Sequence, residues 1–167
     1  HHRSSAASDV YKRQSQLLGS STNHVPDEID RIKKENKELK IKINNFEKLK
    51  SKDIAKNLNE NSILINGIKV ITYLSQETSA DELKSLWDEI KKNHENVIGI
   101  LGSNNGNKSV LICASNMKSS SFDCKKAINL ISEEFGGRGG GKKNLAQAGC
   151  KRISDLKIAI EVIKNLL

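Results

Sequence analysis

The sequence predicts an α/β (α+β) fold, a two-layer domain with a mixed sheet, preceded by a long coiled-coil-like helix. The long helix is predicted because about 30 residues from Asp27 lack glycine and proline and space their apolar residues three and four apart. The two-layer domain is predicted because short β-branched runs then alternate with amphipathic segments of helical period. Near the C-terminus, five of the 11 glycines fall within six positions.

The pattern divides the chain into four segments. Residues 1–14 show no periodicity, and we interpret them as a tag or another non-native tail. Residues 15–26 are predicted to be a linker, 27–60 the long helix or coiled coil, and 61–167 the globular domain. Because the tail contributes three basic residues and one acidic residue, the rest keeps a net charge of +8 − 2 = +6.

The long helix has a narrow apolar seam interrupted by one polar residue. Acidic residues lead the helix and lysines crowd its later turns, an order that suits the helix dipole. A polar residue on such a seam is typical of coiled coils, in which it fixes the register. The sequence therefore predicts a coiled coil or helical hairpin, and a single amphipathic helix lying on its own domain is the alternative. The seam consists of Ile29, Ile32, Asn36, Leu39, Ile43 and Phe46.

The first half of the globular domain carries two strong local signals. Asn66-Gly67 separates two β-rich runs and predicts a two-residue hairpin. Ser79 and Glu82 have the spacing of a capping box, which predicts a helix to about residue 93. Trp87 lies on the apolar face of this helix and is expected to be a core residue.

The second half is predicted from shorter patterns. Residues 97–101 and 109–114 are predicted strands joined by a glycine- and asparagine-rich turn, and a helix follows over 122–135. After the glycine-rich stretch, 145–148 is predicted to be a short edge strand. Ser154 is predicted to cap the closing helix.

Bulk properties limit the classes of function. A net charge of +8 favours a polyanionic partner or an anionic membrane surface, whereas only 4% aromatic residues argues against base stacking on single strands. No apolar run is long enough to span a bilayer. Three cysteines without a paired spacing indicate free thiols, so we expect a cytoplasmic protein. The histidines lack zinc-binding spacing, and no metal site is predicted.

The glycine-rich stretch is the main candidate for a binding site. Clustered backbone N–H groups with cations suit an anion, and a flexible loop is the alternative. Between residues 136 and 152 there are five basic residues and no acidic one. The glycines are Gly136, Gly137, Gly139, Gly140 and Gly141, and the cations are Arg138, Lys142, Lys143, Lys151 and Arg152.

The same stretch does not match the known nucleotide-binding loops. Lys143 occupies the place of the hydroxyl that a P-loop needs for Mg²⁺, and the stretch follows a predicted helix instead of a strand. Lys142 stands at the position where a dinucleotide-binding pattern has its last glycine. His94 is expected to be a solvated residue at a helix end. We assign no catalytic residues and expect the chain itself to be non-catalytic.

Residues 136–149, GGRGGGKKNLAQAG, closely resemble the glycine-rich signature near the C-terminus of alanyl-tRNA synthetase (alanine–tRNA ligase). Residues 17–18, 25–32 and the helix at 35–39 look like the coiled-coil segment of that family, and residues 67–71 like the first strand of its C-terminal domain. Cys150 departs from the pattern, since the family usually has glycine there. Lys142 stands where the related domain of DHH-type phosphoesterases has histidine, which favours the synthetase.

The resemblance implies the C-terminal (C-Ala, DHH-associated) domain of that family, which binds tRNA at its outer corner and assists aminoacylation and editing. The implied partner is tRNA, specifically tRNA(Ala), and a homo-oligomer through the long helix is compatible with it. The parent would be a ligase that uses ATP and Mg²⁺ and has a zinc-bearing editing module upstream, so this fragment would hold no cofactor. The tRNA-binding residues under this hypothesis are Arg138, Lys142, Lys143, Asn144, Gln147, Lys151 and Arg152.

Three alternatives stay open at this point. The chain is also compatible with the C-terminal domain of a free-standing alanyl-tRNA editing protein. It is compatible with an oligomerisation module, in which the glycines serve only close packing. The third alternative is the substrate-binding domain of a DHH-type phosphoesterase, which Lys142 disfavours.

Overall fold

A computed structural model describes residues 2–19, 24–60, 62–92, 94–106, 108–118 and 122–167. The chain forms two compact units, His1–Phe46 and Glu47–Leu167. Helix α1 spans His2–Leu17, and helix α2 spans Val25–Glu60 and continues from the first unit into the second.

Helix α1 covers a region for which the sequence patterns predicted no helix. It includes residues 2–14, which the sequence analysis interpreted as a non-native tail, and residues 15–17 of the predicted linker. The segment contains no glycine or proline, but it also has no apolar stripe, so hydrophobic periodicity could not indicate a helix. Residues 20–23 of the predicted linker lie outside the described residues.

Helix α2 confirms the predicted long helix. In the first unit its apolar seam is open to solvent, with exposed fractions from 38% at Ile29 to 73% at Phe46. In the second unit the buried stripe has a different phase, since Ser51 and Ala55 are buried and Ile54 packs beside them. The compact second unit begins within the helix at residue 47.

The second unit contains the predicted mixed sheet, which has six strands because the glycine-rich stretch forms a strand in addition to the five that were predicted. Its order is β1-β2-β3-β4-β6-β5, with β2 and β3 parallel and all other neighbours antiparallel. The strands are β1 Ile63–Ile65, β2 Ile68–Gln76, β3 Val97–Asn105, β4 Lys108–Ser115, β5 Arg138–Gly141 and β6 Leu145–Cys150. The helices are α3 Ala80–Lys92, α4 Cys124–Glu134 and α5 Lys157–Leu166.

Both strong local signals are confirmed. Asn66 and Gly67 have φ angles of 50° and 80°, as the hairpin turn between β1 and β2 requires. In the capping box, the Ser79 N–H donates to Glu82 Oε2 at 2.7 Å and the Glu82 N–H donates to Ser79 Oγ at 3.2 Å. The hydrogen bonds from Ser79 lower the pKa of Glu82, because they stabilise the carboxylate.

The sheet separates two apolar layers. Helices α4 and α5 cover one face, with Ile131 and Ile163 fully buried against strand residues such as Ile100. Helix α3 and the end of α2 cover part of the other face. There Trp87 is 3% exposed, and an added Cβ at Gly99 would lie 2.8 Å from the Trp87 ring. The prediction that Trp87 belongs to the core is confirmed.

Strand β3 is longer than predicted. Residues 102–105 continue the strand through the predicted turn, because the side chain of Asn104 is satisfied within the core. Its Oδ1 accepts from Ser109 Oγ at 2.6 Å and from the Ile153 N–H at 2.9 Å, and its Nδ2 donates to the Ile153 carbonyl at 3.0 Å. In a sequence pattern, polar residues such as this asparagine indicate a turn, which is why the end of the strand was predicted too early.

Two further predictions were wrong. Strand β6 is not at the edge, because the glycine-rich strand β5 pairs with its outer side. Ser154 does not cap the last helix, since α5 begins at Lys157, whose N–H donates to Asp155 Oδ1 at 2.9 Å. None of the described helices is long and apolar enough to cross a membrane.

Candidate nucleic-acid interface

The glycine-rich stretch forms the outer strand of the sheet. Helix α4 ends at Glu134, and the Gly137 N–H donates to the Ser132 carbonyl at 2.8 Å as the chain reverses. Gly136 has a φ of 61°, a conformation that favours glycine. Strand β5 then runs antiparallel to β6, so the stretch is held by a ladder of hydrogen bonds and is not a free loop.

Alternate glycines of this stretch are required by its close approach to β6. An added Cβ at Gly137 would lie 2.6 Å from Cys150 Cβ, and one at Gly139 would lie 2.8 Å from Ala148 Cβ. An added Cβ at Gly141 would lie 2.6 Å from Ala146 Cα. Positions 137, 139 and 141 therefore admit only glycine without displacement of β6.

Two other glycines have no such internal requirement. An added Cβ at Gly140 or Gly149 would meet nothing within 4 Å, and neither residue has a positive φ. The strand register places Gly140 opposite Gln147 and Gly149 opposite Arg138, so these residues share one face of the sheet. Together with Val110 they line an open depression beside α3.

The predicted binding residues form two groups at opposite ends of the β5–β6 hairpin. At the turn, which we call the tip, the Lys142 N–H donates to the Leu145 carbonyl at 2.8 Å, and Lys143 follows. Asn144 and Gln147 line a second depression with Lys142. Four residues at about 3.3 Å each place Arg138 roughly 13 Å from Lys142.

At the other end, Lys151 and Arg152 follow β6. The Lys151 N–H donates to the Phe135 carbonyl at 3.1 Å, and the Lys151 side chain crosses Gly136, where an added Cβ would lie 3.4 Å from Lys151 Cδ. The register puts Arg138 at this same end. The structure thus brings the predicted residues onto one hairpin but does not gather them at one point.

The hairpin carries five cations at its surface. Arg138, Lys142, Lys143, Lys151 and Arg152 are exposed, and none pairs with a carboxylate among the described residues. Some lysines elsewhere in the second unit are paired. Lys91, Lys92 and Lys164 lie 2.6 Å from the carboxylates of Asp88, Glu89 and Glu161.

Cys150, which departs from the family's glycine-rich pattern, fits into the sheet without disturbing its pairing. Cys150 ends β6 in extended pairing with Ser109, and partial burial raises the pKa of its thiol. The pKa of Cys113 is also raised, by a side-chain hydrogen bond with Cys124 and by burial. All three cysteines are free thiols.

His94 differs from its prediction as a solvated residue. It is half-buried, and burial together with the charge of Lys69 lowers its pKa, so the imidazole is neutral at pH 7. Its Nε2 is buried and has no hydrogen-bond partner among the described residues. Among all the residues that the structure describes, no group of three or more His, Cys, Asp or Glu could hold a metal ion.

Sequence reasoning missed two residues of this surface. Gly149 was quoted only as part of the signature, and Lys84 of α3 lines the depression at the tip. Lys84 gives no local signal, because it lies far along the chain from the glycines and is paired with Asp81 at 3.2 Å. Only the fold brings it to the hairpin.

The steric pattern of the glycines is testable by substitution. Gly139→Ala should lower the free energy of unfolding by about 1–3 kcal/mol, because the new methyl group would overlap Ala148. Gly140→Ala is the matched control and should change it by less than about 0.5 kcal/mol. Urea unfolding of both variants measures the difference, and equal effects would contradict the close approach of the two strands.

Comparison with known proteins agrees with this architecture. The family model "DHHA1 domain" matches residues 66–167. An alanine–tRNA ligase of Buchnera aphidicola subsp. Baizongia pistaciae is 26% identical over 99% of this chain and 18% of the ligase. One of Leptospira borgpetersenii serovar Hardjo-bovis (strain JB197) is 36% identical over 55% of this chain and 10% of the ligase. The chain thus spans less than a fifth of these relatives.

A solved structure shares the fold. The C-Ala domain of Aquifex aeolicus alanyl-tRNA synthetase superposes with a TM-score of 0.57 and 22% identity, over 64% of this chain and 96% of that domain. The resemblance inferred from the glycine signature is therefore confirmed, together with the predicted α+β class of a mixed sheet preceded by a long helix. This chain belongs to the DHHA1 domain family.

Proposed function

We propose that the chain is the tRNA-binding part of an alanine–tRNA ligase and that it holds tRNA(Ala) during aminoacylation and editing. We propose tRNA as the bound RNA because the chain is similar to alanine–tRNA ligases. The observation that carries the proposal is the group of five exposed cations around the β5–β6 hairpin, none with a carboxylate partner in the described chain.

The chemistry of this surface suits a folded RNA. Folded RNA is bound largely through phosphates, 2′-hydroxyl groups and shape, which cations and amide side chains can contact. Arg138 and Lys142 would contact phosphates, whereas Gln147 offers a hydrogen-bond donor and acceptor between them. Trp87 and Phe135 are buried, so neither offers a platform for stacked bases.

The two unconstrained glycines fit the same role. At Gly140 and Gly149 the backbone is open on the depression side, because no Cβ projects from it. An RNA backbone could therefore approach the strands more closely here than at any residue with a side chain. This gives a reason for glycine at two positions where the fold itself does not demand it.

Under this proposal the chain binds and does not catalyse. Activation of alanine with ATP and Mg²⁺, and zinc-dependent editing, would belong to other modules of a cytoplasmic ligase. A free-standing alanyl-tRNA editing protein with the same domain would use the hairpin in the same way.

Neutralising two hairpin cations should weaken tRNA binding. In a filter-binding titration, Arg138→Gln/Lys142→Gln should lower the affinity roughly tenfold near 0.1 M salt, because two phosphate contacts are lost. The slope of log K against log salt concentration should become shallower by about 1.5 to 2.

The matched control is Lys91→Gln/Lys92→Gln, which removes the same charge from lysines already bound by Asp88 and Glu89. We expect nearly wild-type affinity for it. A wild-type affinity that does not depend on salt, or equal losses in the two variants, would refute phosphate contacts at the hairpin.

The exposed seam of α2 favours a second function, and we propose that it pairs two copies of the chain. Ile32, Leu39 and Ile43 are 41%, 55% and 55% exposed, and they recur at heptad spacing with Asn36 between them. Large apolar side chains in such a row are stabilised when a second helix covers them.

The polar seam residue should set the oligomeric state. Asn36→Leu should make the assembly more stable and shift it from a dimer toward higher order, since an apolar residue removes the constraint on register. Sedimentation equilibrium of the wild type and the variant measures this change. Monomers in both cases would contradict pairing through the seam.

A further inference from the structure

A second pair of lysines lies beside the tip of the hairpin. Lys125 and Lys126 are in the first turn of α4, and the preceding Cys124 N–H donates to the Lys143 carbonyl at 2.8 Å. Both side chains are exposed, and neither pairs with a carboxylate among the described residues. We call Lys125, Lys126, Lys142 and Lys143 the tip cluster.

The nearest carboxylate along the chain is already occupied. Asp123 caps α4, and its Oδ1 accepts from the backbone N–H groups of Lys125 at 2.9 Å and of Lys126 at 3.2 Å. Its single negative charge offsets only one of the four lysines. The tip cluster therefore keeps a net charge of about +3 when Asp123 is counted.

This arrangement is unfavourable for the isolated protein. A lysine in the first turn opposes the helix dipole, and α3 instead has Asp81 and Glu82 there. The hydrogen bond from the Cys124 N–H to the Lys143 carbonyl also joins the two backbone segments that carry the four lysines, and like charges on adjoining segments repel one another. Asp123 compensates the helix dipole as the N-cap, but it offsets only one of the four lysine charges. The remaining charge, which nothing in the described part of the chain offsets, points to a role in binding.

We infer that the tip cluster is a second phosphate-binding region for RNA, and that Lys125 and Lys126 are RNA contacts in addition to the glycine-rich signature. The inference rests on the proposed RNA-binding function. Along the backbone the tip lies roughly 13 Å from Arg138, so the two ends of the hairpin face different parts of a bound RNA. We expect the RNA to present phosphates at two places along its backbone, one for each end of the hairpin.

The lysines of α4 can be tested apart from the hairpin. Lys125→Gln/Lys126→Gln should lower tRNA affinity roughly five- to tenfold near 0.1 M salt and make the salt slope shallower by about 1.5. The melting temperature of the free protein should stay equal or rise, because repulsion within the tip cluster is reduced. Addition of tRNA should raise the melting temperature of this variant less than that of the wild type.

The outcomes separate the inference from the proposed function. If Arg138→Gln/Lys142→Gln weakens binding but Lys125→Gln/Lys126→Gln behaves like the Lys91→Gln/Lys92→Gln control, the inference is overturned and the proposed function stands. If the wild type shows no salt-dependent tRNA binding, both are overturned. A loss of affinity accompanied by a lower melting temperature of the free variant would also overturn the inference, because it would indicate a structural role.

Discussion

The close approach of strand β5 to β6 is the constraint on which the rest of this surface depends. Glycine at 137, 139 and 141 removes the side chains that would collide with β6, and the short distances to Cys150, Ala148 and Ala146 show how little space remains. Because these positions alternate along the strand, the intervening ones face away from the contact. A segment whose composition suggests flexibility is thereby a paired strand with a defined orientation.

The pairing of the two strands also affects how readily the hairpin cations bind a phosphate. A cation on a free loop loses conformational entropy when it binds a phosphate, whereas a cation on a paired strand has lost much of it on folding. Arg138 is such a residue, and Lys142 is held where the hairpin turns. The fold leaves the hairpin cations without carboxylate partners among the described residues, although it pairs Lys91 and Lys92 on α3.

Much of this architecture could be predicted from sequence wherever a local pattern determines the outcome. The hairpin at Asn66-Gly67 and the capping box at Ser79 were predicted because the interactions that stabilise them lie within four residues. The role of the glycines as an edge strand could not be predicted, because it depends on the distant partner β6. Helix α1 lacks an apolar stripe, and the turn signal at Asn104 is cancelled by its contacts with Ile153. The family could be inferred from the resemblance of the glycine-rich signature. Lys125 and Lys126 could not be assigned to an RNA-binding surface from sequence, because only the hydrogen bond from the Cys124 N–H to the Lys143 carbonyl places them beside the hairpin.

The central claim is that the β5–β6 hairpin is the surface that tRNA contacts. Hydrogen–deuterium exchange of the full chain, with and without tRNA near 0.1 M salt, tests it most directly. The account predicts slower exchange over residues 136–152 in the complex, with little change at the C-terminal end of α3. Unchanged exchange over 136–152, with protection confined to other segments while tRNA is bound, would contradict the account.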